Sequence, residues 1–373
     1  MSSINKILYI SHGDYRSGAP ILLLNLVRTL KELTKLECHF YIRVVVNALK
    51  PDFEILGPTF QFKHKKFIQR LQNKIRRIPV AHFEDLSQYD LIFSNTLTNG
   101  NLYPEIAAKG IPIITYVHEL EIAAKAYTTT EDLEHVLRYT NLFAVPCEAV
   151  GNFLKNELGV PFEKIRRLDY YIPGTNNILS DKPTKKTFTV GASGTTDWRK
   201  GPDLFLAVAK EVALKYPDAE IQFLWKGATI PSIEHTRFLY EIKKADLGGK
   251  VSFEKSDSRM DKFYLQIDLF LLTSREDPYP LVVLEAASYQ VPTVCFENSG
   301  GIPEFIELAK GGKQVPYLSV SEMAAQVFYY YSNRNAIIMD GKNAHNKLVE
   351  LHQDKNRIVA QFENLLRQIH TTN

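Results

Sequence analysis

The sequence is poor in cysteine and has no long apolar run. Its 373 residues contain three cysteines, Cys38, Cys147 and Cys295, which are far apart and form no Cys-x-x-Cys pair. This pattern argues against a disulfide scaffold or a thiolate zinc site and favours a reducing compartment. The first apolar stretch, Ile7 to Ile10, is too short for a signal peptide, and no segment has the ~20 apolar residues that span a membrane. We therefore expect a cytoplasmic protein.

Three further signatures are missing, and each absence removes a class of function. The formal net charge is +3, which is too small to indicate a nucleic-acid partner. The chain has no Gly-x-Gly-x-x-Gly fingerprint, which a dinucleotide-dependent dehydrogenase would need. It also has no Asp-x-Asp motif and no cluster of His and Asp side chains, so we predict no metal and no cofactor.

What the sequence does contain is an alternation of short apolar runs with helical periodicity. The predicted strands of the first half are Lys6 to Ile10, Phe40 to Val46, Leu91 to Ser94, Ile111 to Val117 and Leu142 to Pro146. Those of the second half are Thr187 to Val190, Glu220 to Trp225, Val251 to Phe253, Leu269 to Leu272 and Val291 to Phe296. The predicted helices between them include Ile21 to Leu33, Pro202 to Tyr216 and Leu281 to Tyr289. Such alternation predicts βαβ units and parallel sheets covered on both faces.

The stretch from Tyr171 to Lys186 interrupts this alternation, because it is rich in Pro, Gly, Asn and Lys. We therefore expect an α/β protein of two Rossmann-like, doubly wound parallel-sheet domains, at residues 1–176 and 187–352, that face each other across a cleft. Residues 353–373, amphipathic from Asn356 to His370, are expected to form a helix that packs back across the domains. Ligands of such sheets bind at the carboxyl ends of the strands.

The most informative segment runs from Ser274 to Ala286. It places Asp277 in the loop after a buried strand and Glu285 eight residues later, inside the following helix. A carboxylate can accept two hydrogen bonds from a ribose or sugar diol. The N-terminus of the helix between the two carboxylates can bind a diphosphate through free N–H groups. The arrangement suits a nucleotide sugar.

A second segment, Gly191 to Gly201, joins the first strand of the second half to its helix. Small residues such as Gly194 let the backbone approach a ligand closely. The adjacent cations Arg199 and Lys200 can neutralise a diphosphate.

At the ends of first-half strands, the loop after Ile10 contains Gly18, and His118 and Glu119 follow the run from Ile111 to Val117. Asn95 follows the run from Leu91 to Ser94. We expect these side chains to line the ligand edge of that sheet.

The second half resembles glycosyltransferase family 4. Asp277 and Glu285 match the Glu-x7-Glu signature of that family, with Asp in place of the first Glu. The Arg-Lys-Gly turn at residues 199–201 and the Ser-Gly-Gly-Ile-Pro-Glu run at 299–304 also match. The resemblance covers nearly the whole chain and is sharpest from Thr187 to Glu304. It implies the GT-B fold and a retaining transferase that moves a hexose from a nucleotide-diphosphate sugar to a glycan.

By position, the resemblance implies that Asp277 contacts hydroxyls of the donor sugar, that Glu285 contacts the ribose, and that Lys200 binds the leaving phosphates. It makes His118, Asp277 and Lys200 the catalytic set. Asn95 and Glu119, which follow strands of the first half, are expected on the acceptor side. The other implied donor-binding residues are Gly18, Gly194, Arg199, Tyr279, Leu281 and Val282.

Two departures from the family pattern concern the donor site. Pro278 and Pro280 stand where the family usually has Gly, and proline has no N–H to donate. We therefore expect the backbone N–H groups of Tyr279, Leu281 and Val282 to form the hydrogen bonds to the nucleotide sugar. Ala192 stands where the family often has Arg, a role that Arg199 would take.

The segment from Lys63 to Pro79 carries seven Lys and Arg residues, no acid and one apolar helical face. It reads either as a helix on an anionic membrane surface or as a domain helix with a core-facing stripe. Family members that build lipid-linked glycans dock through this domain, which favours a peripheral site on the inner face of the membrane. The expected acceptor is a glycan or lipid-linked glycan of surface polysaccharide synthesis.

Two alternatives share the same architecture. One is a nucleotide-sugar sensor without catalysis, and the other is a sugar-nucleotide epimerase or a phosphorylase. Fold alone does not separate them from a transferase.

Overall fold

The structure is a computed structural model that describes residues 4–61, 85–174, 187–255 and 260–369. It divides into two compact units. The first combines the chain up to Ile172 with the segment from Asp354 onward, and the second runs from Pro173 to Gln353. The basic segment from Lys63 to Pro79 lies outside the described residues, as does most of the predicted linker.

The first unit is a parallel sheet with helices between its strands. Its strands are β1 (Lys6–Gly13), β2 (Glu37–Val44), β3 (Thr59–Gln61), β4 (Leu91–Asn95), β5 (Ile113–Tyr116), β6 (Leu142–Val145) and β7 (Ile165–Arg167). Its helices are α1 (Gly18–Leu33), α2 (Lys50–Leu56), α3 (Tyr103–Ala107), α4 (Glu121–Tyr127), α5 (Thr130–Tyr139) and α6 (Glu148–Asn156). Short 3-10 turns occur at Leu97–Leu102 and Phe162–Lys164. Within the described ranges, the sheet order is β3-β2-β1-β4-β5-β6-β7.

The second unit repeats this plan. Its strands are β8 (Phe188–Ser193), β9 (Ile221–Lys226), β10 (Val251–Glu254), β11 (Leu269–Leu272), β12 (Thr293–Phe296) and β13 (Gly312–Val315). Its helices are α7 (Pro202–Lys215), α8 (Ile233–Lys244), α9 (Met260–Gln266), α10 (Leu281–Ser288), α11 (Ile302–Ala309), α12 (Val320–Ser332) and α13 (Arg334–Leu348). A 3-10 turn covers Trp198–Lys200, and a π-helical turn covers Val349–Gln353. In the part of the chain described, the strands pair in parallel in the order β10-β9-β8-β11-β12-β13.

The predicted α/β fold with two parallel sheets is confirmed. The central strands β4, β5, β6, β11 and β12 are buried along their whole length. Burial on both faces explains why they read as continuous apolar runs in the sequence. The outer strands β3, β7 and β13 carry polar residues and gave no apolar run, as is common at sheet edges.

The helices of the second unit cover opposite faces of its sheet. Val190 and Ala192 of β8 pack in one apolar cluster with residues of α7, α8 and α12. A side chain at Gly191, which points the other way, would meet Phe263 and Ile267 on the α9 side. Helices α7 and α9 therefore cover opposite faces of this sheet, and a residue in the loops at the strand ends can be placed on the α7 side or on the α9 side.

The last helix, α14 (Lys355–Ile369), groups with the first unit, and the predicted range Asn356 to His370 nearly coincides with it. Its attachment is ionic as well as apolar. The Asp169 side chain, 1% exposed, pairs with Arg357 at 3.1 Å and accepts a 2.8 Å hydrogen bond from Gln361. Ile358, Val359 and Phe362 form its buried stripe.

Candidate functional site

Asp277 lies in the loop between β11 and α10 and is 5% exposed. Its backbone N–H donates to the carbonyl of Ser299 at 2.7 Å, and it forms an isolated bridge with Gly300. Gly300 has φ +136°, and a Cβ there would lie 1.7 Å from the Asp277 carbonyl oxygen. Only glycine fits this position, so the loops after β11 and β12 are joined where the carboxylate sits.

Two cations from the loop after β8 reach this carboxylate. Lys200 Nζ lies 2.5 Å from Asp277 Oδ2, and Arg199 Nη1 lies 3.7 Å from Oδ1. Ser274 Oγ donates to Oδ2 at 3.3 Å. The structure thus brings the adjacent cations Arg199 and Lys200 to a carboxylate 77 residues away from Lys200 in the sequence, and a buried charge of this kind requires such partners.

The turn that carries the cations is fixed from several sides. Gly201 has φ +69°, and a Cβ there would lie 2.1 Å from the Thr273 carbonyl oxygen. Arg199 donates from Nη1 to the Glu276 carbonyl at 3.0 Å. A side chain at Gly194 would meet the methylenes of Lys200 at 3.4 Å, so this glycine adjoins the cation.

Helix α10 begins directly after the Asp277 loop. In its first turn, Val283 N–H donates to the Pro280 carbonyl at 3.2 Å. The N–H groups of Leu281 and Val282 have no acceptor within the described residues. First-turn N–H groups with a favourable dipole are suited to a phosphate.

Glu285, one turn further along α10, receives a 2.6 Å hydrogen bond from the Tyr264 hydroxyl. Burial raises the pKa of Glu285, and the hydrogen bond from Tyr264 opposes that shift. Tyr264 carried no signal in the sequence, because it belongs to α9 and matches no motif. Its role becomes visible only through this contact.

Tyr279 is buried, and its hydroxyl lies 3.0 Å from His352 Nε2. The Tyr279 side chain therefore connects the Asp277 loop to the π-helical turn that contains His352. Its predicted role as a backbone donor stays a prediction.

In the first unit, His118 has both ring nitrogens engaged. Asn95 Nδ2 donates to the Ala19 carbonyl at 2.9 Å, which turns Asn95 Oδ1 toward His118 Nε2 at 2.7 Å. Because an amide oxygen only accepts, Nε2 carries the proton, and Nδ1 accepts from the Tyr170 hydroxyl at 2.9 Å. Burial, together with the nearby His12, lowers the pKa of His118 to about 3, so the ring is neutral at physiological pH.

Glu119 is 6% exposed, and its carboxylate is held by backbone N–H groups and by the hydroxyl of Thr96. Its carboxylate accepts from the N–H of His118 at 2.9 Å and of Leu97 at 3.3 Å. Burial raises the pKa of Glu119 to about 7. The residue joins the ends of β4 and β5, next to the strained backbone of Thr96, whose φ is +97°.

Gly18 is exposed at the first position of α1, beside Ala19, whose carbonyl holds Asn95. The structure therefore gathers Gly18, Asn95, His118 and Glu119 at the carboxyl ends of β1, β4 and β5. It places Gly194, Arg199, Lys200, Asp277, Leu281, Val282 and Glu285 at the corresponding edge of the second unit's sheet. The catalytic and binding roles of these residues stay predictions.

Within the described residues, no group of three or more His, Cys, Asp or Glu side chains is arranged to hold a metal ion. Among the helices described, none combines the length and apolar character that crossing a membrane requires.

Comparison with known proteins gives these observations a family context. Residues 176–347 match the family model described as "Glycosyl transferases group 1". An uncharacterized glycosyltransferase of Haemophilus influenzae is 30% identical over 125 residues, which is 33% of this chain and 34% of that protein. The alpha-galactosylglucosyldiacylglycerol synthase of Streptococcus pneumoniae is 30% identical over 179 residues, 43% of each protein. The chain thus spans less than half the length of these curated relatives.

Among solved structures, HepE of Anabaena in complex with UDP superimposes with a TM-score of 0.77 at 15% identity, covering 97% of this chain and 100% of HepE. HepE is also known in complex with UDP-glucose. At this identity the likeness establishes the fold. The chain is therefore a GT-B fold protein whose residues 176–347 match the group 1 glycosyl transferases.

Proposed function

We propose that this protein is a retaining, metal-independent glycosyltransferase that moves a hexose from a nucleotide-diphosphate sugar to a glycan acceptor. The observation that carries the proposal is the buried Asp277 carboxylate, held by Lys200 and Arg199 beside the first turn of α10. The family match over residues 176–347 covers this cluster.

Each part of the cluster suits one part of a nucleotide-sugar donor. Asp277 can accept hydrogen bonds from sugar hydroxyls, and Glu285 can accept them from the ribose. Lys200 and Arg199, with the N–H groups of α10, can hold the diphosphate. The UDP and UDP-glucose complexes of HepE support a uridine donor.

Catalysis follows from the same arrangement. When the sugar leaves, negative charge grows on the nucleoside diphosphate, and fixed cations and N–H groups at that position stabilise the transition state. No metal is assigned to this task. We give His118 a hydrogen-bonding role rather than a proton-transfer role, since both of its ring nitrogens are engaged.

The acceptor we propose is a glycan or lipid-linked glycan at the inner face of the membrane, in surface polysaccharide synthesis. The Streptococcus pneumoniae relative, named as a synthase of a glycosylated diacylglycerol, supports a lipid-linked acceptor. Contact of residues 63–79 with anionic lipid belongs to the same proposal.

The test is release of nucleoside diphosphate from UDP-glucose, UDP-galactose, UDP-N-acetylglucosamine and GDP-mannose, with octyl glucoside and octyl galactoside as lipid-linked acceptor mimics. We expect one donor to turn over, in EDTA as in Mg²⁺, with the anomeric configuration retained in the NMR spectrum of the product. Asp277→Asn should abolish turnover, while Asp218→Asn, an exposed carboxylate of the same unit, should not.

Three outcomes contradict the proposal. Loss of activity in EDTA overturns metal independence, and an inverted product overturns retention. Tight donor binding without release of nucleoside diphosphate with any acceptor makes the protein a sensor instead.

A further inference from the structure

The chain has two tryptophans, and they lie in opposite environments. Trp225 is 1% exposed in the core of the second unit, whereas Trp198 is 60% exposed. Trp198 stands two residues before Lys200, in the 3-10 turn that presents the cations to Asp277. Trp, Tyr and Arg are enriched among the residues that contribute most of the binding energy at interfaces.

Trp198 is fixed in place although it is exposed. The guanidinium carbon of Arg275 lies 4.9 Å from the centre of an indole ring of Trp198. Arg275 is itself held by Asp203 through two hydrogen bonds of 2.9 and 2.6 Å, and it donates to the Trp198 carbonyl at 2.8 Å. One side of the indole is thus supported by a cation, and the ring is ordered before any ligand arrives.

A second aromatic residue extends this surface. Tyr317, 45% exposed, donates from its hydroxyl to the Arg275 carbonyl at 3.0 Å. We call Trp198, Arg275 and Tyr317 the Trp198 platform. The carboxylate of Asp203, half exposed at its rim, offers hydrogen-bond acceptors beside the apolar rings.

The platform adjoins the cation cluster but lies on the α7 side of the sheet. The Arg275 N–H donates to the Arg199 carbonyl at 2.8 Å, which connects the platform to the cations. Asp203, which anchors Arg275, belongs to α7. Glu285, the proposed ribose ligand, instead contacts Tyr264 of α9 and so lies on the opposite side. The proposed ribose ligand and Trp198 therefore lie on different sides of the sheet.

We propose that the Trp198 platform binds a pyranose ring of the acceptor glycan; this inference rests on the proposed transferase function. A pyranose has one face of C–H groups, which pack on the negative face of an indole, and a rim of hydroxyls, which carboxylates can bind. A ring seated here lies next to the cluster that holds the donor. The platform therefore provides a carbohydrate subsite separate from the nucleotide.

The experiment compares Trp198→Ala with Tyr240→Ala as a matched control. Tyr240 is 62% exposed in α8 and rests on Lys244 at 5.6 Å, so the control removes an equally exposed aromatic ring with a cationic neighbour. Binding of maltose, lactose and N,N′-diacetylchitobiose is measured by saturation-transfer NMR, which needs no tryptophan, and by intrinsic fluorescence in wild type. Binding of UDP is measured in parallel by calorimetry.

We expect at least one disaccharide to shift the wild-type tryptophan emission. Trp198→Ala should weaken its affinity about tenfold or more, with Trp198→Phe in between and Tyr240→Ala at the wild-type value. The affinity for UDP and the melting temperature should stay unchanged in all three variants.

The proposal is overturned if no disaccharide binds, or if Trp198→Ala binds as wild type does. It is also overturned if Trp198→Ala loses affinity for UDP instead, because the ring would then stack on the base. A loss of disaccharide binding alone leaves the assignment of the donor site intact, because UDP binding is measured separately. Failure of wild type to bind UDP would refute the proposed function, and the calorimetric measurement of UDP binding detects it independently of the disaccharide experiments.

Discussion

Substitutions of Lys200 and Asp277 should have non-additive effects on the free energy of unfolding of the second unit, because the two side chains form an ion pair. The two side chains are 18% and 6% exposed and their charged atoms are 2.5 Å apart. Removing one partner of a buried pair costs about 3–5 kcal/mol. Arg199 remains 3.7 Å from the carboxylate, and Lys200 is partly solvated, so for Lys200→Ala we expect about 2–3 kcal/mol, at or just below the low end of that range.

The double variant with Asp277→Asn should recover part of this loss, because it no longer contains a buried carboxylate without its main partner. We expect a coupling free energy of at least about 1 kcal/mol. Both tryptophans lie in the second unit. Intrinsic fluorescence in a urea titration therefore reports the unfolding of that unit in all four proteins of the cycle. If the two single costs add within about 0.5 kcal/mol, the pair behaves as a solvated surface pair and the reasoning is refuted.

Three further predictions concern groups around the two sites. Glu119 has a pKa of about 7 against an ordinary 4.5, so the native state binds its proton more tightly, and stability should fall by up to about 3 kcal/mol from pH 4.5 to 7. Glu119→Gln should lack this component in melting curves, and parallel pH profiles would contradict the assignment. Asp169→Ala should cost about 2 kcal/mol and expose α14 to limited proteolysis, since the hydrogen bonds from Arg357 and Gln361 to a buried carboxylate are lost; resistance equal to wild type would refute the anchoring role. Gly300→Ala should lower both the melting temperature and the donor affinity, because its Cβ collides with the Asp277 carbonyl; unchanged values would show that the loop can shift.

The elements of the fold that could be predicted from the sequence are those with an apolar run or an amphipathic pattern within one continuous segment. Strands such as Leu269–Leu272 are buried on both faces, and their apolar runs marked them directly. In the described part of the sheet, the edge strand Gly312–Val315 pairs only with β12, and it carries Lys and Gln, so it had no apolar run to mark it. The amphipathic pattern of the last helix predicted its extent within a residue, but the pattern could not name the buried carboxylate of Asp169 that anchors it.

The residues of the candidate site also fall into two groups, those that could be predicted from the sequence and those that could not. The spacing of Asp277 and Glu285 and the adjacent cations at 199 and 200 could be recognised because each lies in one continuous segment. Contacts between segments could not, and these include the hydrogen bond from Tyr264 to Glu285 and the one from Tyr170 to His118. The sequence placed His118 at a strand end, yet only the packing of its neighbours defines its protonation state.

The most direct test of the donor site is the affinity for UDP and UDP-glucose, measured by calorimetry and thermal shift with EDTA present. Ligand at 100 times its dissociation constant stabilises a protein by about 2.7 kcal/mol, which is easily detected. We predict that wild type binds, that Glu285→Ala weakens binding at least about tenfold, and that Glu307→Ala, an exposed glutamate on α11, binds as wild type does. Absence of binding to wild type, or equal affinity of the Glu285 variant, would contradict the account.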